Sequence, residues 1–229
     1  MKKFTKYILF ISLGLLCSCS DYLDIVPDNV TTLDIVFNNK NTAQRYLANC
    51  YHFVPDHGSV KRIPGMGAGH ECWFYTDKDS YFDNEVSFYI ARGLQNTNAP
   101  YANYWDGEGG SKLPMFRAIR ECNIFLSYVR DQHKVNDLTD SERKRWIAEV
   151  NVLKAYYHFF LFEHYGPIPI VDEALPVSTS SEGVKVTRMP VDQVVDFMVK
   201  LIDDSYKDLP PVITMAVSYT HLRAHETCA

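Results

Sequence analysis

The residues best suited to chemistry in this 229-residue chain are flat rings. It carries 15 Tyr, 13 Phe and three Trp. Many fall between Asp56 and Ser111: Trp73, Phe74, Tyr75, Tyr81, Phe82, Phe88, Tyr89, Tyr101, Tyr104 and Trp105. Short polar side chains are interleaved with them, most densely in Glu71 to Asp83 and Gln95 to Asp106. Aromatic planes accept the C–H faces of sugar rings, and Asn, Asp and Gln satisfy the hydroxyls around them. The spacing therefore marks a candidate glycan platform of Trp73, Tyr75, Tyr101, Tyr104 and Trp105, with Asp77, Asn98 and Asn103 as hydrogen-bond partners.

Other chemistries are weaker. His221 and His225 lie four apart with Glu226 after the second, but the metalloprotease motif needs a Glu directly after the first His. Asp77, Asp79, Asp83 and Glu85 form an acidic cluster without the turn Gly and terminal bidentate Glu of an EF-hand. Gly65, Gly67 and Gly69 do not make a phosphate-binding fingerprint. A glycosidase needs two carboxyl groups across a cleft, and no particular pair among the 28 acidic residues stands out. These residues therefore favour a binding platform over an active site, with no cofactor and no motif-defined metal site, and leave open only a looser calcium site at the acidic cluster. The net charge of −5 gives nucleic acid no basic face to bind.

The N-terminus reads as a targeting segment. Lys2, Lys3 and Lys6 precede an apolar run from Tyr7 to Leu16, which is shorter than the roughly 20 residues of a bilayer-spanning helix. Leu16-Cys17-Ser18-Cys19 has the form of a bacterial lipobox, making Cys19 the expected lipid anchor after removal of residues 1–18. That removal leaves 20 basic against 28 acidic residues, so the mature chain is more acidic. Cys50, Cys72, Cys122 and Cys228 are widely and irregularly spaced, which suggests no disulfide framework. Cys50 and Cys122 each fall on an apolar helical stripe, where a thiol behaves as a small hydrophobe.

Helices must position the loop. A first is expected from near Asn41 as cap, with Tyr46, Leu47, Cys50, Tyr51 and Val54 on one face, ended by Pro55. The Gly-, Pro- and Asn-rich stretch after it breaks any helical period. The period returns from Leu113 to Arg130 through Phe116, Ile119, Cys122, Asn123, Leu126 and Val129. Thr139 and Glu142 form a capping box that opens a long helix to Tyr165, closed by Gly166-Pro167. Trp146, Val150, Leu153, Tyr157, Phe160 and Leu161 line one side of it. Ala148, Val152, Ala155, Phe159 and Phe162 make another side apolar, so it should lie between neighbours, with its run of aromatics in the core. An extended segment, Ile168 to Pro176, leads towards Pro190, which opens a last helix through Val194, Phe197, Met198, Leu201, Ile202 and Tyr206.

The long helix and its turn, from Ala148-Glu149 through Leu153-Lys154-Ala155-Tyr156-Tyr157 to Tyr165-Gly166-Pro167-Ile168-Pro169, resemble the signature of SusD-like (RagB/SusD) glycan-binding lipoproteins. Three further stretches agree in order and spacing: Cys19 to Asp24, Phe116 to Leu126, and Val191 to Pro210. Lys154 stands where the family usually has Arg, and Ile170 where it has Leu.

The resemblance implies an all-α, mainly helical fold of tetratricopeptide-type hairpins with long loops, here incomplete because family members are more than twice as long. The expected organisation is a lipoprotein signal peptide at 1–18, the N-terminal part of a SusD-like domain at 19–215, and a foreign tail at 216–229. It further implies a non-catalytic, surface-exposed lipoprotein of the outer membrane that binds oligosaccharide and delivers it to a SusC-like TonB-dependent transporter. The competing expectations are a helical envelope scaffold that binds protein and, behind it, a glycoside hydrolase lipoprotein.

Overall fold

The computed structural model describes residues 32–58, 64–69, 86–107, 113–175 and 186–211. Among them are α1 (Leu33–Val36), α2 (Lys40–Tyr51), α3 (Pro64–Gly67), α4 (Val86–Ala91), α5 (Met115–Val129), α6 (Asp140–Tyr165) and α7 (Val191–Asp203), then a 3-10 turn at Tyr206–Asp208. No strand occurs among the described residues, as the helical reading expects. The chain divides into two units, Met1–Ile35 and Val36–Ala229. The helices from α2 onward all lie in the second unit.

The capping box predicted at Thr139 is formed. Thr139 accepts from the Glu142 amide at 3.3 Å, and the Glu142 carboxylate takes the Thr139 amide at 3.2 Å. At the other end Gly166 adopts φ 67°, a conformation that suits a residue without Cβ. The 26-residue helix between them is the hub of the fold, with α5, α7 and α2 all packed on it. Trp146, Val150, Leu153, Tyr157, Phe160 and Leu161 are buried along one side, and Ala148 and Ala155 on another. Phe159 departs from expectation and is exposed. Each residue turns a helix by about 100°, so a continuous aromatic run cannot face inward throughout.

The helix α2 starts one residue before the expected cap. Asn39, extended at φ −143°, caps it by accepting from the Thr42 amide at 3.0 Å, and Asn41 lies within the helix. Ala43, Leu47 and Cys50 form its buried face, while Tyr51 and Val54 are exposed. On α5 the buried set includes Ile119, Cys122, Asn123, Leu126 and Val129 as predicted, together with Met115, Ala118 and Phe125. The region after Pro55 is not wholly irregular, since α3 and α4 lie within it.

Aromatic packing joins α2, α5 and α6. Phe37 stacks on Tyr128 at 4.5 Å and meets Phe125 edge-on at 5.9 Å, and Phe125 in turn packs against Trp146. The connection from α5 to α6 holds Val135 at φ 50°, which is costly for a β-branched residue. Arg143 compensates. Its buried guanidinium donates to the carbonyls of Val129, Asp131, Lys134 and Val135 at 2.6 to 3.2 Å, and the Val135 amide donates to the Phe37 carbonyl.

Pro190 opens α7 as expected, but only Val194 and Met198 are buried. Ile202 and Tyr206 are exposed, and with Val191, Val195 and Val199 they form an apolar stripe along the outer face. No helix among the described residues is long and apolar enough to cross a membrane.

Candidate functional site

The loop that carries Trp105 is built from side-chain-to-backbone hydrogen bonds. Gln95 closes one turn by accepting from the Tyr101 amide at 2.6 Å and donating to the Tyr101 carbonyl at 2.8 Å. Asn96 accepts from the Asn98 and Ala99 amides within it. Asn98 is exposed at this turn, and the half-buried Tyr101 stacks on Tyr89 at 4.7 Å.

The second turn holds Asn103, Tyr104 and Trp105. Asn103 accepts from the Trp105 amide at 3.1 Å and donates to Asp106 at 2.6 Å. The Tyr104 amide donates to the Tyr165 hydroxyl at 2.9 Å, and the Met115 amide donates to the Tyr104 carbonyl at 2.9 Å. Gly107, at φ 89°, brings the backbone so close to Pro114 that a Cβ would meet its Cδ at 2.9 Å.

Tyr104 requires a correction. It is 1% exposed, with its ring edge-on to Phe160 at 4.9 Å and to His164 at 4.8 Å. Burial raises its hydroxyl pKa above the ordinary tyrosine value. The ring is a wedge that seats the loop on α6, with no face open to a sugar.

Trp105 sits differently. It is half-buried, packs on Phe116 at 4.6 Å and on Tyr165 at 5.6 Å, and lies under the Arg188 guanidinium at 5.3 Å. Arg188 is itself held by the Pro167 and Tyr165 carbonyls. One side of Trp105 borders a cavity of about 440 Å³, whose other walls include Phe116, Arg120, Val171, Glu173 and Leu175. That volume lies in the range of small-molecule sites.

The far wall, Ile168 to Leu175, has no regular structure, and side chains of α5 and α6 hold it. Lys154 is fully buried and donates to the Asp172 carbonyl at 2.7 Å and to its carboxylate at 2.5 Å. Burial lowers the Lys154 pKa, opposed by the bond to Asp172. For Asp172, burial works upward, but the bond to Lys154 and its charge outweigh it and lower the pKa. His158 is buried and pushed down to about 4 by loss of solvation. The neutral ring donates from Nδ1 to the Lys154 carbonyl at 2.7 Å, leaving Nε2 to accept from the Val171 amide at 3.4 Å.

Trp73, Tyr75, Asp77 and Cys19, together with the acidic cluster at 77–85 and the His pair at 221 and 225, lie outside the described residues. Asn98 and Tyr101 belong to one turn, Asn103 and Trp105 to the next. Arg120, Glu173 and Arg188 were not singled out by the sequence reading, and Phe116 was read only as stripe; no local pattern marks them, since they meet through packing. Among the described residues no group of three His, Cys, Asp or Glu is arranged to hold a metal ion.

Comparison with known proteins identifies the family and the fold. A family described as SusD-like, starch-binding and associating with the outer membrane matches residues 21–224. The chain belongs to this SusD-like family. The match takes in part of the segment 216–229. A SusD-like protein, P38, of Formosa agariphila is 22% identical over 221 residues, covering 93% of this chain and 39% of the relative. A SusD-like protein of Bacteroides fragilis superposes with a TM-score of 0.57 at 16% identity, over 81% of this chain and 32% of that one. A laminarin-binding SusD-like protein superposes with a TM-score of 0.59 at 18% identity, over 79% and 36%. The helical fold is thus that of SusD-like proteins, and the chain spans about two-fifths of the curated relative's length.

Proposed function

We propose that the protein captures oligosaccharides at the outer surface of the outer membrane, anchored through a lipid on Cys19, and passes them uncleaved to a SusC-like TonB-dependent transporter. The carrying observation is Trp105, held on a rigid turn with one side open to a cavity of about 440 Å³. Membership of a starch-binding family associated with the outer membrane supports it. That a laminarin-binding SusD-like protein shares the fold is consistent with glycan binding.

In this reading Trp105 and Phe116 form the apolar floor for a sugar face, and Arg120 and Glu173 border it with charge. Asn98, Tyr101 and Asn103 extend the surface from the neighbouring turns, with Trp73, Tyr75 and Asp77 as further platform residues. Native gel electrophoresis through a panel of glycans tests the proposal. Retardation by at least one glycan is expected, weakened in Trp105→Ala and in Trp73→Ala, with no reducing ends released on prolonged incubation. Unchanged migration on every glycan would overturn it. Cys19→Ala should leave the membrane fraction, and its retention there would refute the anchor.

The exposed stripe Val191, Val195, Val199, Ile202 and Tyr206 favours a second reading, a helical envelope scaffold that binds protein. Glycan retardation that depends on Trp105 separates the two.

A further inference from the structure

Two arginines border the Trp105 cavity without a carboxylate partner. Arg120, half-buried on α5, lines the wall and spends its Nη1 on the Leu175 carbonyl at 2.6 Å. Arg188 lies over the ring of Trp105 and spends its Nη1 on the Pro167 and Tyr165 carbonyls at 3.0 and 3.3 Å. Val186, just before it in the chain, lines the same cavity. The Nε and Nη2 donors of both guanidiniums have no protein partner among the described residues. Arg117 and Arg145 differ, since each pairs with a glutamate on the next turn of its own helix.

The opposing charges are few. Glu173 lines the cavity, is exposed, and forms no ion pair among the described residues. Asp172 is taken up by Lys154. Asp106, next to Trp105 in the chain, lines a separate cavity together with Arg117. Backbone carbonyls and an aromatic face hold a guanidinium in place but leave its charge uncancelled. Two such guanidiniums against one carboxylate make this rim positive, in a chain whose net charge is −5. An acidic chain offers a polyanion no long-range attraction, so any preference for one must be local.

On the reading of the Trp105 cavity as the glycan site, we infer that its ligand is an anionic glycan, a uronate or a sulfate ester, whose acid group binds the free donors of Arg188 and Arg120. The guanidinium fork matches the paired oxygens of such a group. Both forks are already fixed, Arg188 by a ring and two carbonyls and Arg120 by one, so little side-chain freedom is lost on binding. The apolar walls at Trp105, Phe116 and Val171 take the sugar face, and Glu173 opposes the acid group.

Isothermal titration calorimetry of the full chain with matched ligands tests this. The pairs are oligogalacturonate against its methyl ester, and a sulfated galactan oligosaccharide against the same sugar desulfated, with laminarin oligosaccharide as a neutral reference. At least one acidic member should bind roughly tenfold tighter than its neutral counterpart, the scale of one hydrogen bond to a charged group. Which pair responds tells carboxylate from sulfate. That affinity should fall between about 0.05 and 0.5 M NaCl, as screening weakens charge attraction. Arg188→Gln should lose a similar factor and much of the salt dependence, Arg188→Lys should keep part of both, and Glu173→Gln should bind more tightly. The salt series is read on the unsubstituted chain, so a poorly folding variant does not remove the test. Neutral glycans bound as tightly as acidic ones, or acidic binding insensitive to salt and to Arg188, would overturn the inference and leave glycan capture standing. Failure to bind any glycan, acidic or neutral, would remove glycan capture along with it.

Discussion

Removing either partner of the Lys154–Asp172 pair should have very unequal effects. The Lys154 side chain is 0% exposed, whereas that of Asp172 is 64% exposed. Lys154 donates to the Asp172 carboxylate and carbonyl, with the Phe197 ring 5.8 Å away. Its pKa is lowered, chiefly by burial, so the ammonium is less favoured in the fold than in water even with Asp172 beside it. Asp172→Ala leaves that ammonium with only a carbonyl. Breaking a buried pair from one side costs about 3–5 kcal/mol. The exposure of Asp172 admits water to the gap, which reduces the expected loss to about 2 kcal/mol.

Lys154→Met acts on the other side of the balance. It removes the cost of desolvating the ammonium, fills the same volume with apolar atoms, and leaves Asp172 where water reaches it. The expected change is within about 1 kcal/mol of the unsubstituted protein. At roughly 2–4 °C per kcal/mol for a domain of this size, Asp172→Ala should lower Tm by about 4–8 °C and Lys154→Met by no more than about half of that. Urea unfolding of the two variants side by side measures the difference. If Lys154→Met is the more destabilised, the pair is a net source of stability and the reasoning from burial fails.

Three further outcomes are expected. His158, held near 4 against an ordinary value of 6.5, contributes stability that is full above pH 6.5 and lost as pH falls towards 4, by up to about 3 kcal/mol; His158→Gln should flatten that part of the stability–pH curve. Arg143→Met removes a donor from four carbonyls, of which Asp131 and Val135 keep the Lys134 and Leu138 amides, releases the strained Val135 turn, and should cost about 3 kcal/mol in urea unfolding, with Arg143→Lys recovering only part. Val195→Lys with Val199→Lys should leave Tm nearly unchanged, since both side chains are exposed, while reducing concentration-dependent association in sedimentation velocity.

The elements legible in the sequence are those with local causes. Thr139 and Glu142 start α6 by bonds that span three residues, and Gly166 ends it by its own backbone freedom, so both could be read without the fold. The choice between Asn39 and Asn41 as cap of α2 could not, because both are good caps and the burial of Phe37 ahead of the helix depends on α5. Tyr104 and Trp105 show the same limit at the candidate site. Adjacent in sequence and alike in chemistry, they have different surroundings, one packed into Phe160 and His164 and the other at the cavity rim. Composition marked the loop as special but could not divide its rings between wedge and platform.

The positions of the polar residues inside α5 and α6 explain why a cavity can exist beside Trp105. The segment Ile168 to Leu175 forms no ladder or helix, so its buried amides and carbonyls need partners from elsewhere. Asn123 donates to the Val171 carbonyl at 3.0 Å, His158 accepts from the Val171 amide, Lys154 donates to the Asp172 carbonyl, and Arg120 donates to the Leu175 carbonyl at 2.6 Å. Four side chains on two rigid helices therefore fix the backbone of one irregular wall. A wall held in this way keeps its shape without a ligand, so binding need not order it. The helices make the site by anchoring a segment of their own connection to α7, while Trp105 arrives on the opposite side through the wedge of Tyr104.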